Sequence, residues 1–409
     1  MSLIGLLGAA AIATTAMLLL HLLPWARLVR GTTRPGRVRR RLTVLAVVLA
    51  LLPVLALTVR FSRLELPGVV QVPLDWLGFT WLGVAFYLFL AVLVLEPVRW
   101  VLRAVQRRRT PAAVPTPVEE PAPEPAPEPT DVTRRLFLAR SLAVTAGVAA
   151  VSTAGYGAWA ANSAPLVRRV PITIPGLAPE LAGYRIVTFS DGHLSTTYGG
   201  RRFERLVETV NAQDADVVAI VGDLVDGEVS ELREDAAPLG DLVSREGAFF
   251  VTGNHEYFVD TNAWLTHLGG LGIDVLRNER VALGRGGTTF DLAGIDDRTA
   301  ADSGLPGHGA DLDAALDGRD ESTPVVLLAH QPVQVEQARR AGVDLQLSGH
   351  THGGQLWPFD YAVLLDQPAV EGLSRQGDTQ LYVTSGAGYW GPPMRVGARP
   401  EVTVIELVP

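Results

Sequence analysis

Ser348-Gly349-His350-Thr351-His352-Gly353-Gly354-Gln355 sets two imidazoles two positions apart, after the apolar run Val343 to Leu347 and before paired glycines. In an extended segment, such side chains share a side, roughly 6.5–7 Å apart. That separation suits two metal ions side by side, one held by each ring. The glycines would let backbone approach whatever the ions bind. Four upstream motifs share the layout: each closes an apolar run and each carries ligands for a hard metal.

The first is Ser190-Asp191-Gly192-His193 after Ile186 to Phe189, where the aspartate and histidine can turn to one ion. The second is Gly222-Asp223-Leu224-Val225-Asp226 after Val217 to Val221. A carboxylate at a strand end can bridge two cations with its two oxygens. The third, Gly253-Asn254-His255-Glu256, offers a neutral oxygen from Asn254 and leaves His255 free for proton transfer. The fourth is Ala329-His330-Gln331-Pro332 after Val325 to Leu328. Singly, each has a plain reading: a turn, a helix N-cap or a structural histidine. With the His350-x-His352 motif they hold five of the eight histidines, each motif at the exit of a predicted strand. Nitrogen and oxygen ligands without sulfur suit Mn²⁺, Fe or Zn²⁺.

In order, Asp191-x-His193, Gly222-Asp223-x-x-Asp226, Gly253-Asn254-His255-Glu256, His330 and Gly349-His350-x-His352 resemble the signature of the calcineurin-like metallophosphoesterases. The layout is similar to the membrane-associated bacterial phosphodiesterase subgroup, over roughly residues 170–409. Two positions depart from the commonest pattern: Glu256 stands for a frequent Asp, and Gly192 for a larger apolar residue, giving a more flexible first loop. The resemblance implies a two-sheet α/β/β/α sandwich and two divalent metal ions. One ion would be held by Asp191, His193, Asp223 and His352. The other would be held by Asp223, Asn254, His330 and His350, with Asp223 bridging.

Two such cations can share a water and lower its pKa toward neutrality, so that hydroxide attacks phosphorus. His255 would then protonate the leaving group, oriented and charged by Asp226. The expected function is a membrane-anchored phosphodiesterase, its substrate a lipid head-group, a lipid-linked ester or a soluble phosphodiester. A phosphomonoesterase or pyrophosphatase, or a non-catalytic phosphate-binding sensor, are the alternatives. Ser385 to Pro393, a Gly/Pro loop with two aromatics followed by Arg395, could line the pocket with Arg395 on a phosphate or be a packed surface loop; Trp357 and Phe359 could form a lip or belong to the core.

These motifs need strands to position them. Tyr184–Ser190, Val217–Val221, Ala248–Thr252, Thr288–Ala293, Val325–Ala329, Asp344–Leu347, Gln380–Thr384 and Val402–Leu407 read as strands. Arg201–Ala212 and Asn262–Leu271 read as helices. Strand–helix alternation early and strand-rich sequence late indicate an α/β sandwich of two sheets, with ligands on loops at the carboxyl ends of strands.

The rest of the 409 residues are different in kind. Residues 1–109 carry three apolar runs, Leu3–Leu23, Leu42–Val59 and Trp76–Leu95, against the about 20 residues needed to span a bilayer. Arginines crowd the segments after the first and third runs, which places those on the cytoplasmic side and the second loop outside. Residues 110–133 form a Pro/Ala/Glu linker with eight prolines in Pro111–Pro129, an extended spacer of at most roughly 60 Å. Residues 134–164 begin with Arg134-Arg135-Leu136-Phe137-Leu138. They read as a fourth transmembrane helix or an internal twin-arginine-like signal anchor. Either places residues 165–409 outside the cytoplasm. Residues 1–164 carry net +9 and residues 165–409 net −17, together the −8 of the chain. An acidic domain disfavours nucleic acid as a partner. The absence of cysteine excludes disulfides, thiolate zinc sites and cysteine nucleophiles.

Overall fold

The structure, a computed structural model, describes residues 3–61, 66–109 and 130–409. These fall into two compact units, one within Met1–Ser62 and Leu77–Gly155, the other within Arg63–Trp76 and Tyr156–Pro409.

The N-terminal region is helical: α1 (Leu3–Pro24), continued by a π-helical stretch (Trp25–Arg30), α2 (Arg37–Phe61), α3 (Gly68–Arg109) and α4 (Thr130–Ala161). Four segments are long and apolar enough to cross a membrane: Ala11–Arg30, Arg37–Arg60, Gly68–Leu102 and Arg134–Ala161. Many large apolar side chains of α2, among them Val44, Leu45, Val47, Val48 and Leu51, are exposed, which suits lipid and not water. Some of the region's polar groups are matched. His21, which interrupts the first apolar run, accepts from Trp81 Nε1 at 3.2 Å, and Arg27 forms a two-pronged ion pair with Glu96. α3 extends well past the expected Trp76–Leu95, because the arginine-rich stretch that follows is itself helix-favouring. The linker expected over residues 110–133 lies outside the described residues up to Pro129; Thr130–Thr133 belong to α4. Arg134 and Arg135 are part of the same continuous helix.

The C-terminal region alternates strands and helices. In order they are β1 (Leu166–Thr173), β2 (Tyr184–Phe189), α5 (Gly200–Asn211), β3 (Val217–Val221), α6 (Val229–Ala236), β4 (Ala248–Val251), α7 (Thr261–Gly270) and β5 (Ile273–Val275). Then come β6 (Glu279–Arg285), β7 (Thr288–Gly294), α8 (Leu312–Leu316), β8 (Val325–Leu328), α9 (Val335–Arg340), β9 (Leu345–Ser348), α10 (Asp360–Val363), β10 (Gly372–Gln376), β11 (Thr379–Val383) and β12 (Glu401–Val408).

They build two six-stranded sheets, in the orders β1-β12-β2-β3-β4-β5 and β10-β11-β9-β8-β7-β6. β2 to β5 are mutually parallel, as are β7, β8, β9 and β11. Period-two alternation divides each strand between two cores. Ile186, Val217, Ala219 and Phe249 face Leu292, Val326, Leu345 and Leu347 across the sandwich. Val187, Phe189, Val218, Ile220 and Phe250 pack on the other side against α5, α6 and α7. The second sheet's outer face, with Leu327, Val325 and Ala293, is covered by α8 and α9. The expected two-sheet α/β sandwich is the observed fold.

α5 shows what holds these helices. Gly199 caps it without a side-chain bond. Burial of Phe203, Leu206, Val207 and Val210, about 1.5–3 kcal/mol each, outweighs the about 1 kcal/mol that a good cap adds. Four strands escaped the sequence reading. β1 is largely exposed at a sheet edge, with Arg168 and Arg169 in it, so it carries no apolar run. β5 has three residues, and β6 and β10 are half-exposed antiparallel edge strands.

Candidate metal centre

Five motifs leave the carboxyl ends of β2, β3, β4, β8 and β9, three from one sheet and two from the other. A carboxylate and two imidazoles form the first cluster: Asp191, His193 and His352. His352 Nε2 lies 3.2 Å from Asp191 Oδ1 and 3.0 Å from His193 Nε2. His193 Nε2 is 3.9 Å from both Asp191 Oδ1 and Asp223 Oδ2. The second cluster is Asp223, His330 and His350, with His330 Nε2 3.1 Å from Asp223 Oδ2. Asp223 therefore stands between the two, and its Oδ1 accepts the backbone N–H of His255 at 2.8 Å.

The outward nitrogens of these rings fix which atoms point inward. His330 Nδ1 lies 2.8 Å from the Val221 carbonyl, an acceptor only, so Nδ1 carries a proton and Nε2 is the atom that faces Asp223. His193 Nδ1 lies 3.0 Å from Asp226 Oδ1, which assigns it the same tautomer. Its Nε2 therefore faces His352 Nε2. His255 Nδ1 lies 2.6 Å from that same Asp226 oxygen. One carboxylate oxygen thus serves two imidazoles, a sharing that the sequence did not reveal. His193, Asp226 and His255 also form a tight group, but its short contacts are these hydrogen bonds.

The residues suit divalent metal. Asn254 Oδ1, His330 Nε2 and His350 Nδ1 are buried without a hydrogen-bond partner; the His330–Asp223 approach is close but not aligned for one. Orphaned buried acceptors are costly unless a cation or proton meets them. Charge has the same sense. Burial pushes His330 down, yet Asp223, Asp191 and Asp297 pull it well above the usual histidine range. Burial would raise Asp191 and Asp223, but His352 and His330 respectively hold them below the usual carboxylate range. His352 is driven down to about 4 by burial.

The backbone is strained at these positions. Asp191 (φ 53°), His193 (46°), Asp223 (52°), His350 (71°) and His352 (53°) all adopt left-handed conformations. Non-glycine residues do so rarely, and such outliers cluster at functional sites. This corrects the extended reading of His350-Thr351-His352. The segment turns instead, and the two rings diverge into different clusters. The paired glycines also serve a different purpose: a Cβ at Gly353 would meet Ala398 and Glu371, and one at Gly354 would meet Asp360. Gly192 is likewise not a loose point, because Phe203 and the Leu224 carbonyl enclose it. Gly349 permits the closest approach, since a Cβ there would collide with Ser190 Oγ and Asp191 Oδ2.

Three further residues hold the loops. Glu256, fully buried, accepts backbone N–H groups from Gly253 (2.6 Å), Leu224 (2.8 Å), Asp223 (3.0 Å) and Val225 (3.4 Å). Burial, with Asp223 adding, pushes its carboxyl up to about 7. Arg395 does not face a pocket. It is fully buried, and burial lowers its guanidinium to about 10. Its N–H groups donate to the carbonyls of Gly388, Ser385, Gly386 and His352, and it lies 3.3 Å from His352 Nδ1. The loop Ser385–Trp390 packs on the first motif, with Ala387 and Gly388 N–H donating to Ser190 and Asp191 carbonyls. Gln355 fixes Trp390 through both of its backbone groups. The rings of Trp390 and Phe258 stand edge-on to His255, centroids 5.7 and 5.0 Å away. Trp357 and Phe359 are exposed and so are not core. None of these contacts has a signature in sequence, because each joins segments separated by a fold and not by a spacing.

Residues 184–354 match the model of the calcineurin-like phosphoesterase family. A transmembrane protein with metallophosphoesterase domain from Danio rerio is 44% identical over 259 residues, 62% of this chain and 59% of that protein. Its namesake from Bos taurus is 40% identical over 287 residues, 68% of this chain and 64% of that protein. An uncharacterized metallophosphoesterase of Aquifex aeolicus is 32% identical over 231 residues, 56% of this chain and 87% of that protein. The chain spans about three fifths of the length of the first two relatives. Strand-end motifs, paired Asp/His clusters and these likenesses agree: the chain belongs to the calcineurin-like metallophosphoesterase family.

Proposed function

We propose that this protein is a membrane-anchored phosphoesterase that hydrolyses a phosphodiester with two divalent cations. The observation that carries the reading is the pair of Asp/His clusters meeting at Asp223, with buried acceptors of Asn254, His330 and His350 left unmatched beside them. Asp191, His193, Asp223 and His352 would hold one cation. Asp223, Asn254, His330 and His350 would hold the other. Bound there, Mn²⁺, Fe or Zn²⁺ supply Lewis acidity and a nucleophile active at neutral pH.

The chain's own groups supply the rest. His255, 11% exposed at its side chain, is reachable from outside. Its Nδ1–H is committed to Asp226, so Nε2 is the atom that would deliver a proton to the leaving oxygen. An ester of an aliphatic alcohol needs that proton because its leaving group is an alkoxide. Trp390 and Phe258 flank this ring, so the leaving group would lie against apolar surface. With four membrane-length helices in the same chain, a lipid head-group or lipid-linked ester meets both conditions. The arginine-rich segments after the first and third apolar runs support a multi-pass anchor with the catalytic domain on the extracytoplasmic side.

The test is hydrolysis of bis(p-nitrophenyl) phosphate against p-nitrophenyl phosphate by the full chain in detergent with added Mn²⁺. Faster diester cleavage is expected. Faster monoester cleavage would overturn the diester assignment. Bound metal with neither reaction would leave a phosphate-binding sensor.

A further inference from the structure

Nine residues after His352 and its glycines carry an unusual surface. Trp357 is 56% exposed, Phe359 55%, Tyr361 67%, Leu364 52% and Leu365 89%. Five large apolar side chains thus crowd one short stretch, built on α10 and its flanks. Its N-terminal end is anchored beside the candidate metal centre. Trp357 N–H donates to the Val396 carbonyl at 2.8 Å, one residue beyond the buried Arg395. Gln355, two residues before Trp357, holds the backbone of Trp390, whose ring abuts His255. Surface apolar residues scattered singly are ordinary, but a concentrated set marks an interaction site.

We infer that Trp357–Leu365 docks on the bilayer surface, bringing the metal-centre rim to the lipid head-groups. Composition favours lipid over a protein partner. Trp and Tyr with neighbouring Phe and Leu is the pattern of a membrane–water interface. The acidic groups here do not oppose it: Asp366 lies 3.6 Å from Arg298, and one oxygen of Asp360 is buried. No Arg or Lys occurs between Gly354 and Gly372, so attachment by apolar insertion is independent of anionic lipid and of salt. Four helices long and apolar enough to cross a membrane belong to the same chain, which keeps a bilayer always within reach. The inference rests on the membrane-anchored part of the proposed function but not on hydrolysis.

The chain has no cysteine, so one introduced thiol can be labelled without background. Leu365→Cys, Tyr361→Cys and Val243→Cys would each carry a nitroxide in the full chain, reconstituted in phosphatidylcholine nanodiscs. Val243 is 65% exposed and precedes β4, at the end of the sheet remote from the metal-centre loops. The expected result is collision with oxygen exceeding collision with a neutral nickel chelate at positions 361 and 365, and the reverse at 243. Nickel accessibility at 361 and 365 equal to that at 243 would overturn the inference. So would immobilised labels shielded from both reagents, the sign of a protein partner or a second copy. Hydrolysis of bis(p-nitrophenyl) phosphate, followed in the same nanodiscs, reports separately on the proposed reaction.

Discussion

Replacing Asp226 by asparagine should weaken two functions at once. Its Oδ1 accepts from His255 at 2.6 Å and from His193 at 3.0 Å. Charge-assisted bonds contribute about 1.5–3 kcal/mol each, and a neutral acceptor keeps roughly half of that. The loss at His193 is then about 0.75–1.5 kcal/mol, roughly 4- to 12-fold in cation affinity, reaching the low end of the roughly 10–100-fold typical for partners of metal-binding histidines. At His255 the ring loses the charge that favours its protonated form, and turnover should fall about 100-fold or more even at saturating Mn²⁺. Calorimetric Mn²⁺ titration measures the first effect, and diester turnover at saturating metal the second. His255→Gln is the control, lowering turnover without weakening metal binding. Wild-type Mn²⁺ affinity in Asp226→Asn would refute the coupling through His193. Full recovery of its turnover by excess Mn²⁺ would refute the role at His255.

Asp223→Ala should empty both cation positions, whereas His255→Ala should keep them, as metal analysis of the purified variants would show. Gly349→Ala should lower stability by about 1–3 kcal/mol, because the new methyl meets Ser190 and Asp191; thermal melting measures it. Asp344, half-buried with its carboxylate on the Val325 N–H, has its pKa raised by burial. The raised pKa means that its contribution is full below about pH 3.9 and lost as pH rises through the folded-state value, so Asp344→Asn should raise the melting temperature at pH 7 and have no effect near pH 3.

The five motifs could be read in sequence because each couples a buried strand to a loop within a few residues, so apolar run and ligand appear side by side. The sheets followed for the same reason: β3, β4 and β8 are buried on both faces and stand out. What escaped was set through space. Glu256 gathers four backbone N–H groups from two loops about thirty residues apart, and Arg395 reaches His352 across forty-three. For Arg395 the sequence leaves a phosphate contact and a packed loop both open, because an exposed and a buried arginine look alike in one dimension. The His-x-His pair stands out in sequence, but spacing alone could not tell an extended segment from a left-handed turn.

The division of ligands between the two sheets has a mechanical consequence. Each proposed cation would draw donors from both: Asp191 and His193 against His352, and Asp223 and Asn254 against His330 and His350. Loading would act as a pair of rivets through the seam of the sandwich. The apolar interior would then no longer be the sole tie between its halves, and melting would climb with free metal as RT ln(1 + [M]/Kd). A chelator would loosen that seam well before any strand came apart.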